Sequence, residues 1–482
     1  MSFWQLENLR SVLSGNWLVR PGANARSEAQ GASIDTRSLK RGNIFFALKG
    51  EKVDGHKFLG AAEKAGAALA VVEDASGASG VAEGLPIVQV ESVGAALLRC
   101  AGEYRRTLEG TRVVSIGGSN GKTTTSRLVE SVLSRHFRGV SSPKSFNNAI
   151  GVPLTILSAR KGDQYLVCEV GTNEKGEIAQ LASVVNPEIA VITSIGREHL
   201  EGLSSVQGVL EEEAAIASEI RAGGVAIIAD QPVELGDVVR GLMLGGKRGS
   251  MLRFGMTEEA DLRVGSVATD ELGTSFSINE RAQFRVPLLG AHNALNGAAA
   301  VAVARRFGLD DTVIRTALAE AATPEMRMRL ESHGPITILN DAYNANPDSM
   351  LAALKAFSVL ARQRNPARRV VVLADMLEMG DAGPDAHREI GEAVASDQSI
   401  DFVVLAGPLM MFAAERVRKK WAGERVVNLP RMDDEHARRI ASMLKPGDFV
   451  LLKGSRGMGV ERVARALDSA GSPLRTTQET GV

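Results

Sequence analysis

Cysteine is nearly absent from this chain of 482 residues. The two present, Cys100 and Cys168, both lie in apolar runs. They read as small buried side chains, which argues against a disulfide framework or a cysteine metal centre. Net charge is equally scarce, since 56 basic and 57 acidic residues leave −1. Such a chain has no global attraction to nucleic acid or to an anionic membrane, so any anion site must be local. No apolar run approaches the roughly 18 residues of a membrane span. The opening Met-Ser-Phe-Trp-Gln-Leu-Glu-Asn-Leu-Arg has no basic stretch followed by an apolar core, so it is not read as a secretory signal. A cytoplasmic protein is expected, with neither a membrane nor a nucleic-acid partner. No repeat of fixed period is evident.

What is there is a large apolar inventory. Hydrophobic residues make up 44% and charged residues 23% of the chain, enough for a sizeable core, and the length suggests about three domains. The most informative stretch is Arg112-Val-Val-Ser-Ile-Gly-Gly-Ser-Asn-Gly-Lys-Thr-Thr-Thr125. It predicts a strand, a glycine turn and a helix, a geometry suited to polyphosphate. Glycines let backbone N–H groups turn inward, Lys122 reaches the β- and γ-phosphates, and Thr123 offers a hydroxyl to Mg²⁺. Ile116 stands where the longer eight-residue loop has glycine, so the loop is the tighter Gly118-Ser-Asn-Gly121-Lys122-Thr123.

Three blocks follow from the patterning. Residues 1–109 alternate strand-like runs (43–48, 67–72, 86–90) with helical ones, including a helix over 93–108. Residues 110–325 carry apolar strands at 165–168, 189–192 and 225–228 with little alternation, as in a parallel sheet covered on both faces. Their segment 250–290 reads as an antiparallel appendage. Residues 326–470 repeat strand and helix, with strands at 336–339, 369–373, 402–405, 425–427 and 449–452, predicting a second open parallel sheet. The fold class is thus α/β throughout, and 471–482 reads as a frayed tail.

Ligands of such sheets gather beyond the carboxyl ends of the strands. Glu169 ends one strand and His199 follows another, on the side of the phosphate loop. Each either serves a metal and its water or is an ordinary polar group there. Asn147 and Asn148 form a polar loop that a turn alone would explain. Asn293, in Gly290-Ala-His-Asn-Ala-Leu-Asn296, is either a helix N-cap or a contact to a purine edge. Asn340-Asp-Ala-Tyr-Asn-Ala-Asn-Pro-Asp-Ser-Met350 crowds polar groups before a proline-initiated helix, and a cap leaves Asn344 and Asn346 unexplained. Lys453-Gly-Ser-Arg456 ends the last strand either as a solvated turn or as a seat for an anion.

Together these segments resemble the Mur ligases over nearly the whole chain, from Ser33-Ile-Asp-Thr-Arg37 and Phe45-Phe-Ala-Leu-Lys-Gly50 to Lys453-Gly-Ser-Arg456. Segments 144–153 and 340–350 resemble the branch that adds D-alanyl-D-alanine to UDP-N-acetylmuramoyl-tripeptide. The Asp-Asn-Pro-Arg motif of the sister adding a diamino acid does not occur. The resemblance implies an N-terminal α/β domain for the UDP-sugar, a central P-loop ATPase domain with a doubly wound sheet, and a C-terminal Rossmann-like domain for the dipeptide. It implies that Gly118, Ser119, Asn120, Gly121, Lys122, Thr123 and Thr124 hold ATP. Asn293 and Asn296 would lie near adenine, Arg327 at the γ-phosphate and Asp341 at the ribose. Ser33, Asp35, Arg37, Asp54 and His56 would bind the UDP-sugar, and Asn147 and Asn148 its peptide. Asn344, Asn346, Lys453, Ser455 and Arg456 would meet the dipeptide.

Lys122, Glu169, His199 and Arg327 are the implied catalytic groups. Two Mg²⁺ ions are implied, with Thr123, Glu169 and His199 as ligands. The lysine that the family carbamylates with CO₂, to make one more ligand, is expected at 213 by spacing from His199. Glu211-Glu-Glu213 stands there instead. Glu213 is expected to supply that anion directly; the alternative is a solvated acidic helix face. The implied reaction passes the γ-phosphoryl of ATP to the tripeptide carboxylate, and the dipeptide amine then displaces phosphate, with domain closure about 109 and 325. A monomer is expected. The competing functions are a related ligase, adding a diamino acid or glutamate to folate, and a P-loop ATPase switch.

Overall fold

The computed structural model describes residues 2–471 except 24, 76–80, 82–83, 144–145 and 245–248; the expected tail, 472–482, lies outside the described residues. Three sheets follow one another along the chain. The first contains β1 (Asn16–Val19), β2 (Ala32–Ser33), β3 (Ile44–Phe46), β4 (Leu69–Val72) and β5 (Ile87–Gln89), in the order β1-β5-β4-β3-β2. Only β1 runs antiparallel to its neighbour.

The second sheet has nine strands. They are β6 (Arg112–Gly117), β7 (Gly139–Ser141), β8 (Tyr165–Glu169), β9 (Ile189–Ile192), β10 (Val225–Ala229), β11 (Ser250–Gly255), β12 (Leu262–Asp270), β13 (Gly273–Ile278) and β14 (Ala282–Val286). The order is β14-β13-β12-β11-β10-β9-β6-β8-β7. β6, β8, β9 and β10 are apolar and buried nearly end to end, because helices cover both faces. The expected appendage is corrected here. β11 joins β10 in parallel, β12 joins β11 in parallel, and only β12–β14 form an antiparallel meander. The segment extends the parallel sheet rather than hanging from it.

The third sheet contains β15 (Arg329–His333), β16 (Ile336–Asp341), β17 (Arg368–Ala374), β18 (Phe402–Ala406), β19 (Val426–Leu429) and β20 (Asp448–Lys453), ordered β15-β16-β20-β17-β18-β19. The parallel strands match the sequence pattern. β15 is an additional antiparallel edge strand, missed because Arg329-Leu-Glu-Ser-His alternates too weakly to read as a strand.

The two junctions differ physically. One apolar core runs from the first sheet into the second, joined by the helix Val93–Arg106. From that helix the buried Arg105 donates to Val185 O at 2.9 Å and Asn186 O at 3.0 Å and pairs with Glu188 at 3.1 Å. Closure about residue 109 would have to shear this shared core. Much of the contact between the second and third sheets' domains is polar instead, and it surrounds the cavity described next.

Candidate active site

β6, β8 and β9 end side by side, with Ile116 opposite Glu169 and Gly117 opposite Ile192. Their carboxyl ends deliver the glycine turn, the Glu169 carboxylate and the segment Thr193–His199 to one place. Gly118 has φ 115°, and a β-carbon there would meet the Thr193 hydroxyl at 2.3 Å. Gly121, at φ 88°, precedes the helix Lys122–Leu133, and a β-carbon would meet Asn296 Oδ1 at 2.2 Å. Both positions require glycine for conformation and for close approach.

The amides of the turn are spent inside the protein. Gly118 N donates to Glu213 Oε2 at 2.5 Å, Ser119 N to Ser194 O at 2.8 Å and Asn120 N to Ser194 Oγ at 2.9 Å. The expectation that Gly118, Ser119 and Asn120 aim their N–H groups at phosphate is therefore corrected. The donors that remain are those of the helix's first turn, from Lys122 onward, which no intrahelical carbonyl reaches and which carry the positive end of the helix dipole.

Lys122 folds back over the turn. Its Nζ donates to Gly118 O at 2.5 Å and lies 3.6 Å from Glu198 Oε2 and 4.0 Å from Glu213 Oε1. Glu169 accepts from Thr123 Oγ1 at 3.1 Å and Asn147 Nδ2 at 3.0 Å. Glu169, Glu198 and Glu213 are all buried. One oxygen of each (Glu169 Oε2, Glu198 Oε1, Glu213 Oε1) has no hydrogen-bond partner among the described residues. Burial raises all three carboxyl pKa values, that of Glu213 to about 7. Burial opposes the charge on Lys122, but Glu198, Glu213 and Glu169 outweigh it and raise its pKa. Two cations, Lys122 and Arg327, act on these three acids, so carboxylates still outnumber the fixed positive charges beside them.

The alternative of a solvated acidic face at 211–213 does not hold. Only Glu211 is exposed, while Glu212 accepts from Gly176 N at 2.7 Å and Ile178 N at 2.8 Å. His199 has φ 49°, and its Nδ1 lies 2.6 Å from Glu378 Oε2 of the third domain. Burial opposes protonation of the ring; Glu378 and Glu198 outweigh it and raise the pKa. Among the described residues no three His, Cys, Asp or Glu side chains gather tightly enough to hold a metal alone. The expected set Thr123, Glu169, His199 and Glu213 is thus not preassembled: Glu213 is tied to the turn and His199 to Glu378.

From the third sheet, Asp341 and Lys453 are opposite each other in the β16–β20 ladder and pair at 2.5 Å. Lys453 is buried and also donates to Asn344 O at 3.1 Å, so its charge is already matched rather than waiting for a substrate acid. Ser455 Oγ accepts from Leu377 N at 2.9 Å and donates to Ala345 O at 3.2 Å. Asn346 proves to be the N-cap of the helix Pro347–Arg364, in a capping box with Ser349, and its Nδ2 also donates to Asn120 Oδ1 at 3.0 Å. Arg327 donates to Thr123 Oγ1 at 3.0 Å. The guanidinium carbons of Arg327 and Arg456 lie 4.2 and 5.8 Å from the Tyr343 ring centroid, and the Arg456 side chain is 55% exposed. Asn293 is not the cap of its helix, which starts at His292 after Ala291. It donates to Leu289 O at 2.8 Å and accepts from Asn296 Nδ2 at 2.9 Å.

These groups line one cavity of about 590 Å³ between the second and third domains. Ser119 to Thr124, Asn147, Asn148, Glu169, His199, Asn293, Asn296, Arg327, Asp341, Asn344, Asn346, Lys453, Ser455 and Arg456 all border it. Gly118 and Glu213 lie behind its wall. Glu198 and Glu378 also border it and were missed. The carboxylate of Glu198 next to His199 at a strand end was a usable signal; Glu378, from another domain, had none.

The expected UDP-sugar set divides. Ser33 and Asp35 border a second cavity of about 1000 Å³, between the first and second domains, with Tyr104, Phe146 and Arg160. Arg37 is exposed and pairs with Asp35 at 2.6 Å, which holds that carboxyl down at about 2. His56 is corrected: it is buried, with Nδ1 2.8 Å from Asp54 and Nε2 accepting from Glu73 N at 3.0 Å. Both ring nitrogens are taken up inside the first domain, one by Asp54 and one by Glu73 after β4, so the ring has none left for a ligand.

Three α/β domains with a phosphate loop facing a polar cavity between the second and third define a class of nucleotide-dependent proteins. Comparison with known families narrows it. Residues 28–105 match the Mur ligase family catalytic domain, 116–304 the Mur ligase middle domain, and 326–456 the Mur ligase glutamate ligase domain. The chain belongs to the Mur ligase family. It is 35% identical to the UDP-N-acetylmuramoyl-tripeptide–D-alanyl-D-alanine ligase of Bacillus subtilis, covering 97% of this chain and 99% of that one. With the Escherichia coli enzyme of the same name it shares 31% identity over 97% and 99%. Among solved structures it resembles MurF from Acinetobacter baumannii (TM-score 0.83, 27% identical, covering 97% and 99%). It also resembles MurF ligase from Thermotoga maritima in complex with ADP (TM-score 0.75, 25% identical, covering 92% and 97%).

Proposed function

We propose that this protein is an ATP-dependent ligase that joins D-alanyl-D-alanine to the peptide of UDP-N-acetylmuramoyl-tripeptide, in the cytoplasm and as a monomer. The observation that carries the reading is the single cavity into which the Lys122 loop of one domain and the Tyr343–Asn346 and Arg456 segments of another project. The relatives similar over almost the full chain are named for this reaction.

A carboxylate oxygen is a poor leaving group, so amide formation needs activation. ATP would lie along the first turn of Lys122–Leu133, with Lys122 leaving Glu198 and Glu213 for the phosphates and Arg327 beside them. The tripeptide carboxylate takes the γ-phosphoryl group, giving an acyl phosphate and ADP, and the dipeptide amine then displaces phosphate. These residues contribute position and charge rather than a covalent bond. The UDP-sugar would occupy the second cavity, past Ser33 and Asp35. Arg456, half-exposed and only loosely paired with Glu461 at 3.5 Å, suits the dipeptide carboxylate, and Asn344 suits its amides.

The donors fit Mg²⁺: buried carboxylate oxygens without partners, a threonine hydroxyl and an excess of negative charge. An ion that relies on a few carboxylates plus substrate phosphates needs no preassembled cage. Thr123, Glu169 and His199 would hold it, with Glu213 behind them in place of a carbamate. Bound there, the ion neutralises phosphate charge.

The test is ligation of labelled D-alanyl-D-alanine onto the UDP-tripeptide with ATP and magnesium, with Lys122→Ala as control. ADP release that needs both acceptors is expected. ADP release with another amino acid instead, or with no acceptor at all, would replace this reading with a sister ligase or an ATPase switch respectively.

A further inference from the structure

The segment Ser194–His199 braces the phosphate loop through Ser194 and carries both Glu198 and His199 into the cavity. Just before them stands Arg197, whose hydrogen bonds among the described residues go to neither the loop nor Lys122. Its backbone N–H donates to Asp348 Oδ2 at 2.8 Å, while Nε and Nη2 reach Asp348 Oδ1 at 3.2 and 2.8 Å. Nη1 and Nη2 also reach Glu389 Oε2 and Oε1 at 2.5 and 3.3 Å. One guanidinium of the second domain is thus gripped by two carboxylates of the third, one at the start of the helix Pro347–Arg364 and one within Gly383–Ser396. The preceding residue confirms how tight the seat is, since a β-carbon on Gly196 would meet Asp348 Oδ2 at 2.5 Å.

We infer that Arg197 is a positioning residue: the grip of Asp348 and Glu389 on it docks the third domain and sets Glu198 and His199 in the cavity wall. The claim rests on the ligase reading only for its catalytic consequence. Charge-assisted, forked hydrogen bonds are the strong kind and fix orientation as well as distance. The three side chains are 31%, 39% and 41% exposed, so the grip is also open to salt. At the other junction a shared apolar core does the joining. The polar junction is therefore the one that a single charge change can loosen.

The test reads domain separation directly. Cys100 and Cys168 are buried and burial pushes both thiols up to about 12, so spin labels can be directed to Met256→Cys and Met411→Cys, at exposed positions of the second and third domains. Arg197→Met should lengthen or broaden the measured distance, as should added salt in the native protein but not in the variant. It should also lower kcat by roughly ten- to a hundredfold, with the KM for the UDP-substrate little changed. Asp348→Asn, which keeps an acceptor for the Arg197 N–H, should do the same more weakly, Arg197→Lys should restore part of the loss, and Arg197→Met with Asp348→Asn should be no worse than Arg197→Met alone. If Arg197→Met does not fold, Asp348→Asn with Glu389→Gln replaces it. A distance unchanged by these substitutions, or an additive double variant, overturns the proposal. A protein that opens in Arg197→Met yet ligates nothing in native form upholds the grip and sinks the ligase reading alone.

Discussion

Glu378 Oε2 lies 2.6 Å from Nδ1 of His199, across the boundary between the second and third domains. At this distance the carboxylate faces the ring as an ionic partner, although Nδ1 makes no hydrogen bond among the described residues, and Nε2 lies 3.8 Å from Glu198 Oε2. Glu378 stands on a loop at φ 62° that Ser455 and His387 brace through the N–H groups of Leu377 and Met376. The presentation of His199 therefore depends on the third domain.

Glu378→Ala should reduce ligation by roughly ten- to a hundredfold and raise the magnesium concentration needed for half-maximal rate. Glu378→Gln, which keeps the shape of the side chain beside the ring but not its charge, should lose less. Equal loss in both variants would show that charge, not orientation, is what Glu378 supplies.

On the proposed reading, Glu213 stands in for a carbamate that would have needed CO₂. Native activity should be the same in CO₂-depleted and bicarbonate-supplemented buffer. Glu213→Ala should lose most activity, whereas Glu211→Ala, at an exposed position, should keep it. Marked stimulation of the native enzyme by bicarbonate would sink the substitution.

The same residue should trade stability for function. Its carboxyl moves from 4.5 to about 7 on folding, so between those values the native state binds more protons than the unfolded chain. Stability from this group is present at low pH and is lost as pH rises through 7. Without ligands, Glu213→Gln should therefore be more heat-stable than native above pH 7, by up to about 3 kcal/mol, and the gap should shrink towards pH 4.5. Melting curves across pH read it directly; a gap independent of pH would contradict it.

His387 has the opposite sign. It is fully buried, Nδ1 lies 2.7 Å from Gly383 O and Nε2 accepts from Met376 N at 3.1 Å, so the ring is neutral. Burial lowers its pKa below 6.5. The unfolded chain takes up the proton first, so this stabilisation is present above pH 6.5 and fades as pH falls. Its imidazole resonances should stay at neutral positions to a pH below 6.5 in an NMR titration. Protonation at an ordinary pH would refute the placement.

Much of the candidate site was legible because parallel strands announce themselves as short apolar runs and their ends gather ligands. Glu169, His199 and Arg456 were chosen on that logic, Lys122 and Thr123 on the glycine turn, and Arg327 and Asp341 on the family resemblance; all border one cavity. The errors came from partners. Lys453 read as a free cation until the ladder put Asp341 beside it, and His56 as a ligand group until Glu73 and Asp54 took both its nitrogens. Asn346 read as surplus polarity, yet it caps a helix.

By itself the sequence determined the three α/β units, the glycine turn and which side chains stand at strand ends, because periodicity and loop chemistry act between near neighbours. Only the tertiary structure decided which charges face each other: Lys122 with Glu198 and Glu213, Asp341 with Lys453, Arg197 with Asp348 and Glu389. Those pairings join residues far apart in the chain, and burial makes them matter, since a charge withdrawn from water must find its partner wherever the fold has placed one.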